Sequence, residues 1–239
     1  MPLHEHHAIQ VVIGIDGDLA IKGEEGDWLS GRGIIVRQDV QHSFNGQGAL
    51  GAMLFVDPES TEGLWLRSSL SSAITRVPDT RLARCTGELR TLVERPFESM
   101  EIAALIRHCV QSLSAGAPPA RRLDPRVTVV LKAIRASEDL RISLESAAAT
   151  VFLSPSRFAH LFKQQVGLPF RRYMLWRKLT RAVLAIAQEG TIAAAAQAAD
   201  FSDAAHLTRT FYEMFGLPPS VVMRGEFFQI PPPFELPEK

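Results

Sequence analysis

The sequence predicts two domains: a small all-β barrel followed by helices, then an all-α half built from a repeated helical hairpin. Three observations predict this. Short β-rich pieces alternate with turn clusters up to Val56, helical spacing takes over from Asp79, and one block of the helical half recurs about 48 residues later. The chain has 239 residues, 46% hydrophobic and 22% charged, an ordinary globular composition with more length than one typical core requires.

In the first half the β-rich pieces are Gln10–Ile15, Gly33–Val36 and Leu50–Val56, separated by clusters such as Asp16-Gly17-Asp18 and Asn45-Gly46-Gln47-Gly48. His4 stands so near Met1 that a leading barrel strand is expected to be missing. Between Asp79 and Ser114 two helices are expected on Leu82, Leu89 and Leu92, then on Leu105, Ile106, Cys109 and Leu113. Their apolar stripes suit either the barrel or a second copy of the chain. The run Ala115-Gly116-Ala117-Pro118-Pro119 reads as a linker. The expected organisation is therefore domain 1–114, linker 115–124, domain 125–226 and an extended Pro-rich tail 227–239.

Asp124-Pro125 supplies an N-cap and a first-turn proline, opening a helix through about Ser137. Beyond it lies the repeat. Leu144, Ala148, Leu153 and Ser154 recur as Ile192, Ala196, Phe201 and Ser202; after one extra residue, Phe158, Phe162, Gly167 and Pro169 recur as Leu207, Phe211, Gly216 and Pro218. Each copy predicts a short helix (143–150, 191–199) meeting a second (155–166, 203–215) across a tight turn, with Ala148 and Ala196 allowing a close crossing and Ser154 and Ser202 placed as caps. This is the pattern of a helix-turn-helix.

Such spacing alone also fits a structural bundle, and charge favours nucleic acid. Residues 1–120 hold 10 Lys/Arg against 15 Asp/Glu, while residues 121–226 hold 15 against 9; clustered cations displace counterions from phosphates. The second helices expose Ser156, Arg157, His160 and Lys163 in one copy, and Ala204, Ala205, Thr208 and Arg209 in the other. The helix expected over 170–188 carries Arg171, Arg172, Arg177, Lys178 and Arg181 and spans roughly 28 Å, which suits successive major grooves roughly 34 Å apart.

Over about 125–225 the chain resembles the AraC/XylS transcriptional regulators. The resemblance rests on Ala196-Gln197-Ala198-Ala199-Asp200-Phe201-Ser202 through Thr210-Phe211, on the closing Gly216-Leu217-Pro218-Pro219, and on Leu153-Ser154, Phe158, Phe162 and Gly167 in the first unit. It implies that the second helix of each unit reads double-stranded DNA, through Ser156, Ala159, His160 and Lys163 and through Ala204, Ala205, Thr208 and Arg209. Two departures stand out. Asp200 replaces a usual glycine, and Asp tolerates a left-handed turn; Ala195 replaces a larger aliphatic residue. Ala204 and Ala205 can contact only thymine methyls, so the second unit is expected to anchor on phosphate, mostly through Arg209.

In this family the β-rich domain resembles a cupin and binds small effectors. His4, His6 and His42 fall near a cupin's metal-ligand spacing, but Gln10 stands where a carboxylate belongs, and Arg37 and Asp39 replace a proline and a glycine. A metal-free pocket and no cofactor are expected. His6, Gln10, Trp28, Arg37 and His42 are the candidate effector contacts. A metal-dependent cupin enzyme fused to a DNA-binding domain is the alternative; the missing carboxylate and the absence of a phosphate loop, nucleophile elbow or zinc-finger pattern weigh against it.

Cys85 and Cys109 read as buried thiols in a reducing compartment. No apolar run reaches the roughly 18 residues of a membrane span and no signal-peptide pattern opens the chain, so no membrane partner and a cytoplasmic location are expected. Further expected partners are a second copy of the chain through helices in 79–114 and RNA polymerase if the protein activates.

Overall fold

A computed structural model describes residues 1–94, 99–114 and 123–221. The linker expected at 115–124 lies outside these except for Leu123 and Asp124, as does the tail 227–239.

The strands are β1 (Ile9–Gly14), β2 (Leu19–Gly23), β3 (Leu29–Gly31), β4 (Gly33–Val36), β5 (His42–Asn45), β6 (Gly51–Val56) and β7 (Ile74–Arg76). They form two antiparallel sheets, β6-β1-β4-β7 and β3-β2-β5. The expected β-rich domain is present, and among the described residues it is an open pair of sheets, in keeping with the missing leading strand. With strands of three to six residues, β2 spends its pairing on β3 and β5 alone, leaving no ladder to join the two sheets.

β1 is buried along its whole length because both faces are covered. Ile9, Val11 and Ile13 face α2 (Asp79–Glu94) and α3 (Ser99–Leu113), packing with Leu82, Leu89, Ile106 and Val110. Val12 faces the other way, into a small cluster between the sheets with Leu19, Ile21, Ile34 and Val36. Period-two alternation puts Gln10 on that second face. The apolar stripes of α2 and α3 therefore serve the chain's own core, with Cys85 and Cys109 buried there as free thiols.

An unanticipated helix, α1 (Thr61–Ser69), follows β6. Ser60 caps it, accepting from Gly63 N–H at 2.9 Å. A Cβ on Gly63 would stand 2.1 Å from the Asp57 carbonyl oxygen, so only glycine lets this first turn fold onto the loop before it.

The helical half comprises α4 (Pro125–Ala136), α5 (Leu144–Thr150), α6 (Pro155–Val166), α7 (Phe170–Glu189), α8 (Ile192–Ala198) and α9 (Ala204–Phe215). Phe158 and Phe162 of α6 pack with Phe170 and Tyr173 of α7, ring centroids 5.2–5.7 Å apart. Leu207, Phe211 and Phe215 play that part for α9. Burying each such side chain is worth about 1.5–3 kcal/mol. The single core cluster of this half also takes in Ala8 from the first half.

Candidate functional site

Each hairpin is built from its caps. Ser143 and Thr191 cap α5 and α8 by accepting from Ser146 N–H (3.1 Å) and Ala194 N–H (3.2 Å). Ser154 caps α6, accepting from Arg157 N–H at 3.4 Å. Ser202, which the sequence placed as the cap of α9, does not cap it. Asp203 does, at 2.7 Å to His206 N–H, because the extra residue of the second copy lies in the turn and shifts the cap by one. Ser202 instead donates to Asp203 at 3.1 Å.

Both turns pass through a left-handed residue: Phe152 (φ 56°) and Asp200 (φ 58°) at equivalent positions. Asp200 behaves as expected. Phe152 carries a 96% exposed ring on a backbone that costs a non-glycine residue about 1–2 kcal/mol. Phe152→Gly is expected to raise stability by about 0.5–1 kcal/mol, the relief being partly offset by unfolded-chain entropy. Urea denaturation of the two proteins checks this, and a lower midpoint for the variant would show that the ring contributes stabilising contacts.

On α6, Ser156, Arg157, His160 and Lys163 are exposed on one face and Ala159 is half-buried beside them. On α9, Ala205 and Arg209 are exposed, Ala204 and Thr208 half-buried, and the Thr208 hydroxyl donates to Ala204 O at 2.7 Å within its own helix. Exposed Tyr212, one turn beyond Arg209, extends this face and was not singled out in the sequence.

Four of the five basic residues of α7, which the sequence offered as part of a basic half, are engaged inside the protein. Lys178 donates to Asp200 O (2.8 Å), tying α7 to the second turn. Arg181 donates to Ser137 O (2.8 Å) and Glu138 O, satisfying carbonyls just beyond α4. Arg172 pairs with Glu5 (2.8 Å) and Arg177 with Asp57 (3.6 Å). α7 is thus a strut that braces both hairpins and fastens the helical half to the sheet domain.

That fastening has a buried polar centre which sequence patterning did not expose. Asp57 also takes Arg135 (3.1 Å) and the Trp176 indole N–H (3.3 Å). Next to it, His7 lies between Glu59 (2.7 Å) and Asp39 (3.2 Å). Burial disfavours its charged form, but the Glu59 and Asp39 carboxylates outweigh that and push its pKa up to about 10.

His6, Gln10 and His42 come together with His4 at this seam, and all four are buried. Burial lowers the pKa of His6 to about 3, of His42 to about 4, and also that of His4, so all three rings are neutral. The His6 ring lies 5.9 Å from Phe215 and 6.5 Å from Trp176. The other two expected effector contacts are not brought to this set. Trp28, in the loop before β3, is 49% exposed, and Arg37 is half-buried past β4 with its backbone N–H on Ala73 O. A concavity of about 570 Å³ at the edge of the three-stranded sheet, between Ile21, Leu29, Val40 and Ile74, includes none of the five.

Among the described residues no helix is long and apolar enough to cross a membrane. A family profile described as a helix-turn-helix domain matches residues 147–225. A protein of Photobacterium leiognathi named as a probable transcriptional regulator, LumQ, is 24% identical over 233 residues, 94% of this chain and 92% of that one. ToxT from Vibrio cholerae O395 shares the two-domain fold, with a TM-score of 0.61 at 8% identity over 92% of this chain and 90% of its own. The structure of ToxT from Vibrio cholerae strain SCE256 with an unsaturated fatty acid bound gives 0.57 at 9% identity, over 92% and 88%. With a sheet-rich domain in front and two capped helix-turn-helix units behind, the chain carries a helix-turn-helix domain over residues 147–225 and is similar along nearly its whole length to a probable transcriptional regulator.

Proposed function

We propose that the two hairpins bind one face of a DNA duplex, with α6 reading bases and α9 anchoring the complex, and that a small effector acting on the sheet domain sets the affinity. The observation that carries this is the duplicated capped hairpin braced by one 20-residue helix, with a cationic face on α6. Arg157, His160 and Lys163 have the reach to contact base edges or phosphates, and Ser156 and Ala159 fill the space between them. Arg209 supplies the phosphate contact of α9, beside Ala204, Ala205 and Thr208. The fatty acid bound by the ToxT neighbour supports giving this chain a small-molecule ligand. Dimerisation through α2 and α3 would use their outer faces, where Met100 is exposed; contact with RNA polymerase belongs to this account if promoters are activated.

A rigid strut fixes the spacing between the two contact points. Selection of DNA from a random pool by the full-length chain should give two short contact blocks about one helical turn apart. Inserting five base pairs between them turns the second block to the opposite face and should weaken binding at least about 10-fold, since one set of contacts is lost. Equal affinity for both spacings would overturn the two-groove arrangement.

A further inference from the structure

We propose that His4, His6 and His42, with the Gln10 side-chain oxygen, form a site for one divalent transition-metal ion of the zinc type, and that its loading alters DNA affinity through the end of α9. The argument begins with lone pairs. The Nδ1 atom of each ring lies at hydrogen-bond distance from a backbone carbonyl oxygen: Pro2 for His4 (2.7 Å), Ala8 for His6 (3.0 Å) and Val40 for His42 (2.8 Å). A carbonyl accepts only, so Nδ1 carries the proton and each neutral ring presents a bare Nε2. A backbone carbonyl on the far nitrogen is also the usual way a metal-ligating imidazole is oriented.

Those bare nitrogens face another acceptor. His6 Nε2 and His42 Nε2 lie 2.8 and 2.9 Å from Gln10 Oε1, while His4 Nε2 is buried with no partner. Rotating the Gln10 amide would let its NH2 group donate to His6 and His42 and would still leave His4 Nε2 bare. A cation among the four atoms satisfies all of them together. Three imidazoles and one neutral oxygen suit zinc, cobalt(II), nickel or copper(II) far better than magnesium or calcium.

The framework is already in place. His4 and His42 are paired backbone to backbone, N–H to O at 3.0 and 2.9 Å, and Gln10 is fixed in the centre of its sheet. The ring nitrogens lie within 4.8 Å of one another. A tetrahedral site with bonds of about 2.0–2.1 Å needs them about 3.3 Å apart, so loading draws the rings inward by up to about 1.5 Å.

Those rings adjoin the second hairpin. His4 lies against Gly216, the left-handed residue ending α9, where an added Cβ would stand 2.9 Å from His4 Nδ1, and His6 packs on Phe215, so displacement of the rings has a direct route to the end of α9. The consequence for DNA rests on the regulator function proposed above; metal binding itself does not.

The test titrates metal-free full-length chain with cobalt(II) and zinc, and measures binding to the selected DNA with and without zinc. The expected result is one equivalent of cobalt with the visible absorption of a four-coordinate centre. His42→Ala should weaken binding about 10-fold or more. Gln10→Glu, which supplies an anionic oxygen, should tighten it by about 10-fold, a gain that a purely structural hydrogen-bonding role does not give. Zinc should change DNA affinity about 5-fold or more in the parent chain, a typical size for coupling between sites. If the chain binds its DNA and takes up no metal, or if Gln10→Glu fails to tighten binding, the site is overturned and the regulator function stands. If metal binds stoichiometrically and DNA affinity does not move, the coupling is overturned. If metal binds and no DNA is selected, the regulator function fails and the metal site stands.

Discussion

Asp57→Ala is expected to destabilise the protein by about 3 kcal/mol and to release the helical half from the sheet domain. Asp57 is the common partner of Arg135, Arg177 and the Trp176 indole, at 3.1, 3.6 and 3.3 Å. Removing one member of a buried ion pair costs about 3–5 kcal/mol, because the partner's charge is left without compensation. The lower end applies here, since these side chains keep 12–17% of their surface exposed and solvent screens them in part. Urea unfolding gives the loss directly. Asp57→Asn keeps an acceptor for the indole while removing the charge, and it should fall between the parent and the alanine variant. Losses below about 0.5 kcal/mol for Asp57→Ala would mean that the apolar contacts of Phe55, Trp176 and Phe215 hold the seam unaided.

The second large effect concerns sequence preference. Arg157 and His160 lie on the exposed face of α6, where the proposed base contacts are made. A well-placed base contact is worth about 1–3 kcal/mol of discrimination. The double variant Arg157→Ala/His160→Ala should therefore lose on the order of 10²-fold of its preference for selected over random DNA, with binding to random DNA much less affected. Competition titrations with both DNAs measure this ratio. A uniform loss on both would make these residues phosphate contacts.

Much of the helical half was legible in the sequence because its signals are local. Asp124-Pro125 and Ser154-Pro155 mark helix starts, Gly167 and Gly216 mark ends, and the apolar spacing of Phe158, Phe162 and Val166 fixes the buried face of α6. Helix α1 was not legible: it has nine residues, and its cap Ser60 follows an Asp-Pro-Glu run that reads as a turn. The seam was out of reach for another reason. Asp57 meets residues 78 and 119 positions away, and no periodicity carries such pairings. The internal use of the α7 cations was hidden for the same reason, since a charge count cannot separate a phosphate ligand from an internal brace. His4, His6 and His42 were visible as a spacing, but the conflict of acceptors around Gln10 exists only in three dimensions.

The most direct measurement for the central claim is the salt dependence of binding by the full-length chain, by fluorescence anisotropy, on promoter DNA adjoining its own coding region and on random DNA. The expected result is clearly tighter binding to the promoter, with affinity falling steeply as salt rises. The slope of log affinity against log salt should drop by about 0.9 in each of Lys163→Ala and Arg209→Ala, one phosphate contact apiece. Equal affinity for both DNAs, with slopes unchanged in both variants, would contradict the assignment of α6 and α9 as the DNA-binding face.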